Sequence, residues 1–174
     1  FEAIHPFYDG NGRTGRIINV LYLVLKELLD SPIIYLSKFI IRNKTSYYNL
    51  IKEVTVKGQW ENWILYILQG IEETSEETLA LIKKISDLLE DTAKEMKEKV
   101  PKIYSKELID LLFYEFYTKI SYIQEGLDVS RKTASNYLSS LEESGFLISK
   151  KIGREKIYLN KGLIQLVEEI GSTK

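Results

Sequence analysis

The first part of the chain contains a short segment whose residue types suit phosphate chemistry. It reads His5-Pro6-Phe7-Tyr8-Asp9-Gly10-Asn11-Gly12-Arg13-Thr14-Gly15-Arg16. Its glycines allow the backbone to approach a ligand closely, so that successive N–H groups can converge on an anion. Imidazole is a common general base at neutral pH, and His5 is the only histidine of the chain. The segment therefore combines a candidate base with a cradle for phosphate.

Three charged side chains of this segment could hold a polyphosphate and its metal ion. Arg13 and Arg16 are three residues apart, so they share one face of the helix that we predict after the turn. Asp9 offers a carboxylate for a Mg²⁺ ion that bridges the same phosphates. The apolar residues Ile17 to Leu29 predict a buried helix, whose N-terminal dipole would add to the attraction for anions.

Each of these features has an ordinary structural explanation when it is taken alone. A lone histidine is more often packed or solvated than catalytic, and a Gly-Asn-Gly sequence before a helix is often only a turn. A structural turn, however, has no need for a histidine, an aspartate and two arginines around a string of glycines. The combination therefore favours a functional site over a purely structural turn.

The segment from His5 to Arg16 resembles the signature of the Fic family, His-Pro-Phe-x-(Asp/Glu)-Gly-Asn-Gly-Arg-x-x-Arg, at every specified position. The resemblance implies a protein adenylyltransferase that transfers AMP from ATP to a hydroxyl group of a target protein, with Mg²⁺ as cofactor. It implies that His5 is the catalytic base, that Asp9 binds the metal and that Phe7 anchors the loop in the core. The residues that it assigns to the phosphates are Gly10, Asn11, Gly12, Arg13 and Arg16.

Gly12 bears on which reaction is expected. Doc-type relatives, which phosphorylate their targets, have lysine at this position, so Gly12 favours nucleotidyl transfer. Fic proteins generally place several helices before the signature, and we therefore expect this chain to be a C-terminal part with impaired activity. Loss of such helices would expose apolar faces and favour either self-association, including a homodimer, or binding of a complementary fragment.

Composition predicts a globular protein with a substantial core. The chain has 174 residues, of which 44% are hydrophobic and 28% charged, and its net charge is −1. It contains no cysteine, and no signal-like segment is evident, so a cytoplasmic location is the default expectation. The apolar segment Ile17 to Leu29 is too short to span a bilayer, and we expect no membrane association.

We predict that residues 1–97 form the C-terminal part of an all-helical Fic domain. Two short helices are expected between Leu36 and Lys57, followed by a long amphipathic helix from Trp60 to about Lys97. In Fic relatives the region of Tyr47 and Tyr48 tends to face the adenosine. These tyrosines are therefore candidate contacts for the base or the ribose, with packing in the core as the alternative.

Residues 98–105 are predicted to be a linker, because Pro101 follows a polar helical end. Residues 106–174 then resemble a winged helix-turn-helix domain with a small β-hairpin. Together with the all-helical first part, this makes the predicted fold class mainly α. The expected elements are helices over 106–117, 121–125 and 131–144, with strands over 146–152 and 155–159. Ser130 is the expected cap of the third helix.

Basic and polar residues concentrate on the third helix and the hairpin of this domain. They are candidate DNA contacts: Arg131, Lys132, Ser135, Asn136, Lys150, Lys151, Arg154 and Lys156. Winged helices also serve as protein-docking modules, so DNA and protein remain alternatives. The second functional hypothesis is accordingly a DNA-binding transcriptional regulator in which the Fic unit only senses a nucleotide.

Overall fold

The computed structural model describes residue 1 and residues 4–172 of the chain. The protein is mainly helical and contains a β-hairpin, as the sequence predicts, and a short third strand extends the hairpin to a three-stranded antiparallel sheet. It divides into two compact units, Phe1–Leu81 and Ile82–Lys174. In the described part of the chain, the helices are all too short or too polar to cross a membrane.

The regular elements of the first unit are all helices in the part of the chain that the structure describes. They are α1 (Asn11–Leu25), α2 (Leu36–Arg42), α3 (Lys44–Lys57) and the first part of α4 (Glu61–Lys99). The two short helices predicted between Leu36 and Lys57 are α2 and α3, which are separated at Asn43, and α4 has nearly the predicted length.

A small aromatic and aliphatic core holds α2, α3 and α4 together. Its buried residues are Leu36, Phe39, Ile40, Tyr47 and Tyr66. Helix α4 approaches this core closely at Gly70, because a Cβ atom there would lie 2.5 Å from the ring of Phe39. Side chain volume at position 70 would therefore push α4 away from α2.

The prediction that Ile17 to Leu29 forms a buried helix is wrong. Helix α1 starts earlier, at Asn11, and ends at Leu25. Only Asn11 and Gly15 of α1 are buried, whereas Leu25 is 75% exposed. Several apolar side chains of α1 remain exposed, because the described residues of this unit do not cover them.

The second unit contains the end of α4 and all strands of the described chain. Its other elements are α5 (Lys106–Tyr114), β1 (Tyr117–Thr118), α6 (Ile120–Leu127), α7 (Arg131–Glu143), β2 (Leu147–Ile152), β3 (Glu155–Asn160) and α8 (Lys161–Ser172). The strand order is β1-β3-β2, and both pairings are antiparallel.

The helices predicted over 121–125 and 131–144 and the predicted hairpin occur close to the predicted positions. Ser130 caps α7, since its side chain accepts a hydrogen bond of 3.1 Å from the backbone N–H of Thr133. Ala134, Leu138 and Leu141 face inward and are fully buried, as their helical spacing predicts. The inner face of α7 is thus packed in the core, and its opposite face remains exposed to solvent.

Two details of this unit differ from the sequence prediction. Helix α5 ends at Tyr114 instead of residue 117, because Tyr117 leaves the helix and pairs with Leu159 of β3. Helix α8 follows β3 directly and was not predicted.

The boundary between the units also differs from the predicted linker over 98–105. Helix α4 continues to Lys99, and the second unit begins within this helix, at Ile82. Met96 explains the difference, because its side chain is fully buried in the cluster that contains Leu108 and Ile109. The last turns of α4 are therefore part of the core of the second unit.

Candidate functional site

A cavity of about 660 Å³ in the first unit brings several predicted site residues together. The predicted residues at its wall are His5, Asn11, Gly12, Arg16, Tyr47 and Tyr48. The rest of the wall is largely apolar and comes mainly from α1, α3 and α4, together with Phe1 and with Trp60, which directly precedes α4. Such a volume is within the usual range for a small-molecule or cofactor site.

The loop before α1 is fixed by the buried side chain of Asn11. Its Oδ1 accepts a hydrogen bond of 3.0 Å from the backbone N–H of Phe7, and its Nδ2 donates one of 2.6 Å to the Phe7 carbonyl oxygen. Asn11 is only 3% exposed. The sequence interpretation gave this side chain to a phosphate, but in the structure its main contacts are with the loop backbone.

Gly10 allows the chain to enter α1 without a side-chain cap. It adopts a left-handed conformation, with φ of 86°, which favours glycine. The first helical hydrogen bond of α1 runs from the Thr14 N–H to the Gly10 carbonyl oxygen, over 2.9 Å. The N–H groups of Asn11, Gly12 and Arg13 therefore have no helical acceptor. Free N–H groups at a helix N-terminus are a common setting for bound anions.

Arg16 is held against the loop from two sides. Its Nε donates a hydrogen bond of 3.0 Å to the hydroxyl oxygen of Ser37 on α2. On the other side, a Cβ atom at Gly12 would lie 3.2 Å from Nη1 of Arg16, so the guanidinium packs on the glycine backbone. The side chain is half-buried and forms part of the cavity wall.

Arg13 and Asp9 do not belong to the cavity wall. They form an ion pair of 2.9 Å with each other, and their side chains are 71% and 90% exposed. The two arginines of the signature thus point to different partners, although they are three residues apart on one helix. An exposed pair of this kind contributes little to stability, so it can open when a stronger ligand competes.

His5 lies at the wall of the cavity in an unusual backbone conformation. Its φ is 50°, a value that residues other than glycine seldom adopt. Its side chain is exposed, so a reacting group could approach it. Strained backbone of this kind is often found at functional sites.

The expectation that Phe7 anchors the loop in the core is wrong. Phe7 is 50% exposed, and its ring contacts the ring of Phe1 at a centroid distance of 6.0 Å. The core of this unit lies on α2, α3 and α4 and does not extend to Phe7. Asn11 holds the loop instead.

Tyr47 and Tyr48 have different environments although both reach the cavity. Tyr47 is buried and packs on Trp63 at a centroid distance of 5.3 Å, so it is part of the core as well as of the wall. Tyr48 is exposed and meets Tyr47 edge to face at 5.4 Å. Only Tyr48 presents most of its ring to the outside of the unit.

Sequence reasoning did not identify Trp60, Trp63 and Ser37 as residues near the site. The spacing of the two tryptophans was a usable signal, because residues three apart on a helix share a face. Ser37 gave no such signal, since its contact with Arg16 joins two different helices.

The predicted DNA contacts lie in the second unit, on α7 and on the hairpin. Arg131, Lys132 and Asn136 are exposed on α7, and Ser135 is partly buried. Lys150, Lys151 and Arg154 are exposed on or between β2 and β3. Among the residues described, none of the five cations in this group forms an ion pair.

Lys156 differs from these cations because it forms an ion pair within the protein. Its Nζ donates a hydrogen bond of 3.0 Å to Glu142 of α7 and lies 4.7 Å from the centre of the Tyr158 ring. The hydrogen bond to Glu142 raises the pKa of Lys156. Hydrogen bonds from Ser149 and Lys156 lower the pKa of Glu142 in turn. Lys156 thus connects the hairpin to α7.

Family models match both units of the chain. Residues 1–23, which contain the signature, match the Fic/DOC family. Residues 88–163 match the C-terminal domain of SoFic-like protein adenylyltransferases. The second match begins inside α4, in agreement with a second unit that includes the end of this helix. Taken with the signature, these matches show that the chain belongs to the Fic family.

Proposed function

We propose that the protein is a protein adenylyltransferase that transfers AMP from ATP to a hydroxyl side chain of a target protein. The observation that carries this proposal is the cavity in the first unit. It joins an accessible histidine, an arginine and the uncapped start of a helix with a largely apolar, aromatic wall. A nucleotide has the matching parts, since it combines an anionic polyphosphate with a flat, poorly hydrated base.

The residues around the cavity fit ATP in two further respects. Gly12 leaves its backbone open to a phosphate group, whereas a Cβ atom at this position would meet Arg16 at 3.2 Å. The aromatic rings of Trp60 and Tyr48 offer flat surfaces for a base. Backbone N–H groups and Arg16 would hold the phosphates, and the aromatic wall would hold the adenosine.

Asp9 fits a Mg²⁺ ion that is bound mainly through the substrate. Mg²⁺ commonly takes one or two protein carboxylates and completes its shell with phosphate oxygens and water. The described residues contain no group of three or more acidic or histidine ligands, so a closed metal cage is not expected there. When bound, Mg²⁺ would supply positive charge to the phosphates. Asp9 would exchange its partner Arg13 for the metal, and Arg13 would become available to the substrate.

The chemistry follows from the position of these groups. His5 accepts the proton of the target hydroxyl, whose oxygen forms a bond to the α-phosphorus of ATP. The bond between this phosphorus and the bridging oxygen breaks, and pyrophosphate leaves with the electron pair. Arg16 and the free N–H groups of α1 stabilise the charge that develops on the phosphate oxygens. Asn11 keeps the loop in register during this step.

The test uses ATP labelled at either the α- or the γ-phosphate. The protein is incubated with Mg²⁺ and a protein extract of the source cells, and His5→Ala serves as the control. We expect label on protein from the α-position only, and none with His5→Ala. The variant should still bind ATP, because His5 is exposed and contributes no phosphate contact. Label from the γ-position only, or equal labelling by His5→Ala, would contradict the proposal.

A second candidate function is DNA binding by the second unit, as a winged helix-turn-helix domain. It is favoured by the five exposed cations that have no ion-pair partner in the described part of the chain, namely Arg131, Lys132, Lys150, Lys151 and Arg154. Lys156 is not counted among these five, because it forms an ion pair with Glu142.

Salt dependence provides the test of DNA binding. Each phosphate contact that is lost should reduce the slope of log affinity against log salt by about one. We therefore expect Lys151→Ala and Arg154→Ala each to weaken duplex binding and to lower this slope. Lys83→Ala, which removes an exposed lysine of α4, is the matched control. Equal affinity and slope in all three variants would exclude this surface.

A further inference from the structure

We propose that Ser37 is a positioning residue that holds the guanidinium of Arg16 for the polyphosphate of the nucleotide. The inference rests on the proposed function, because it assigns a new residue to the same cavity. Ser37 lies on α2, outside the signature, and does not itself form part of the cavity wall. Its effect on the ligand would pass through Arg16.

The hydrogen bond between the two side chains leaves the useful part of Arg16 free. The Ser37 hydroxyl oxygen accepts from Nε, at 3.0 Å, and not from either terminal nitrogen. The terminal nitrogens carry the paired donors that bind phosphate oxygens. With Gly12 packed against Nη1 on the other side, the guanidinium is confined to one position beside the loop. An arginine that is already ordered loses less conformational entropy when the ligand binds.

Helix α2 gives Ser37 a fixed position. The neighbouring Leu36 is buried in the core of the first unit, and so is Phe39 one turn onward. The exposed face of α2 is tied to α4 as well, because Glu77 accepts hydrogen bonds from Lys38 at 2.7 Å and from Arg42 at 2.6 Å. The hydroxyl of Ser37 is therefore presented by a helix that is fastened on two sides.

This arrangement predicts a selective effect on binding. We place Arg16 at the outer phosphates of the nucleotide, so loss of the Ser37 hydroxyl should weaken Mg²⁺-ATP. AMP lacks these phosphates, and its affinity should not change. A general loosening of the first unit would weaken both ligands, because they share the aromatic wall.

The experiment measures the affinity of the 174-residue protein for Mg²⁺-ATP and for AMP, with the fluorescence of Trp60 and Trp63 as the signal. We expect Ser37→Ala to weaken Mg²⁺-ATP by about three- to tenfold, the usual effect of one lost hydrogen bond. Ser37→Thr retains a hydroxyl and should restore most of the affinity. Ser46→Ala is the matched control, since Ser46 is an exposed helical serine of the same unit.

A double-mutant cycle with Arg16→Ala separates positioning from other effects. If Ser37 acts through Arg16, then Ser37→Ala should have no further effect on Mg²⁺-ATP once Arg16 is removed. Additive losses in the double variant, equal losses for ATP and AMP, or unchanged affinity in Ser37→Ala would overturn this role and leave the proposed function standing. If the unaltered protein bound neither ligand, the proposed function and the role of Ser37 would both be wrong.

Discussion

The substitution Asn11→Asp tests how the signature loop is held. The side chain of Asn11 is almost isosteric with aspartate and makes two hydrogen bonds to the backbone of Phe7. Aspartate can still accept the Phe7 N–H. Its second oxygen would replace Nδ2, however, and would stand against the Phe7 carbonyl oxygen, to which Nδ2 now donates over 2.6 Å. One attractive contact would thus become a contact between two acceptors.

The expected cost follows from these contacts. Loss of a hydrogen bond costs about 0.5–1.5 kcal/mol, and a buried polar group that is left unsatisfied costs about 1–3 kcal/mol. Because Asn11 is 3% exposed, water cannot easily relieve the new oxygen pair. We therefore expect the closed loop to lose about 2–4 kcal/mol relative to an open one. This cost applies to the ionised carboxylate, because a protonated one could donate its O–H to the Phe7 carbonyl oxygen.

Amide hydrogen exchange at Phe7 is the appropriate assay, because this N–H group is held by the side chain of Asn11. A loss of about 2–4 kcal/mol corresponds to roughly 30- to 1,000-fold faster exchange if local opening limits it. Asn49→Asp, at an exposed position of α3, makes the same chemical change without a loop contact and is the control. Unchanged exchange at Phe7 in Asn11→Asp would refute the role that we assign to Asn11.

Three further predictions concern the packing and the hydrogen bonds within the two units. Leu138→Ala should destabilise the second unit by about 2–5 kcal/mol, because this side chain is fully buried in α7, and chemical denaturation would measure the loss. Hydrogen bonds from Lys38 and Arg42 lower the pKa of Glu77. Glu77 therefore stabilises the fold at pH values above the ordinary pKa of glutamate, and this stabilisation is lost as the pH falls through the lowered pKa. Glu77→Gln should accordingly lower the melting temperature near pH 7 and have little effect in acid. Glu142→Ala removes the oxygen that accepts the Ser149 N–H and should speed amide exchange at Ser149, and an unchanged rate would show that Glu142 does not hold the hairpin.

The sequence predicts most of the helical frame for identifiable reasons. Ser130 marks the start of α7 because its side chain can satisfy a free N–H group, and the spacing of Ala134, Leu138 and Leu141 identifies the buried face. By contrast, β1 has only two residues, Tyr117 and Thr118. A strand of this length carries no alternating pattern and exists because β3 offers it a partner. Such an element cannot be predicted from its own residues.

The same division applies to the site. The residue types of the signature indicate phosphate chemistry, because glycine backbone and arginine can bind phosphate and histidine can act as a base. Which of these side chains act on a ligand depends on contacts that the signature does not contain. Arg16 reaches the cavity wall and meets Ser37, whereas Arg13 turns back to Asp9. Their spacing on α1 is equally suited to both outcomes, and only the position of α2 distinguishes them.

The contacts of Asn11 and Asp9 show that a local sequence pattern can indicate a chemistry without specifying what each side chain contacts. Both were expected to serve the ligand directly. Asn11 instead holds the backbone of Phe7, and the first N–H groups of α1 remain without a helical acceptor. Asp9 forms its ion pair where both side chains are exposed, so a metal that competes for the carboxylate would also release Arg13. Metal binding and the supply of a second arginine would then be one event, because the same carboxylate controls both.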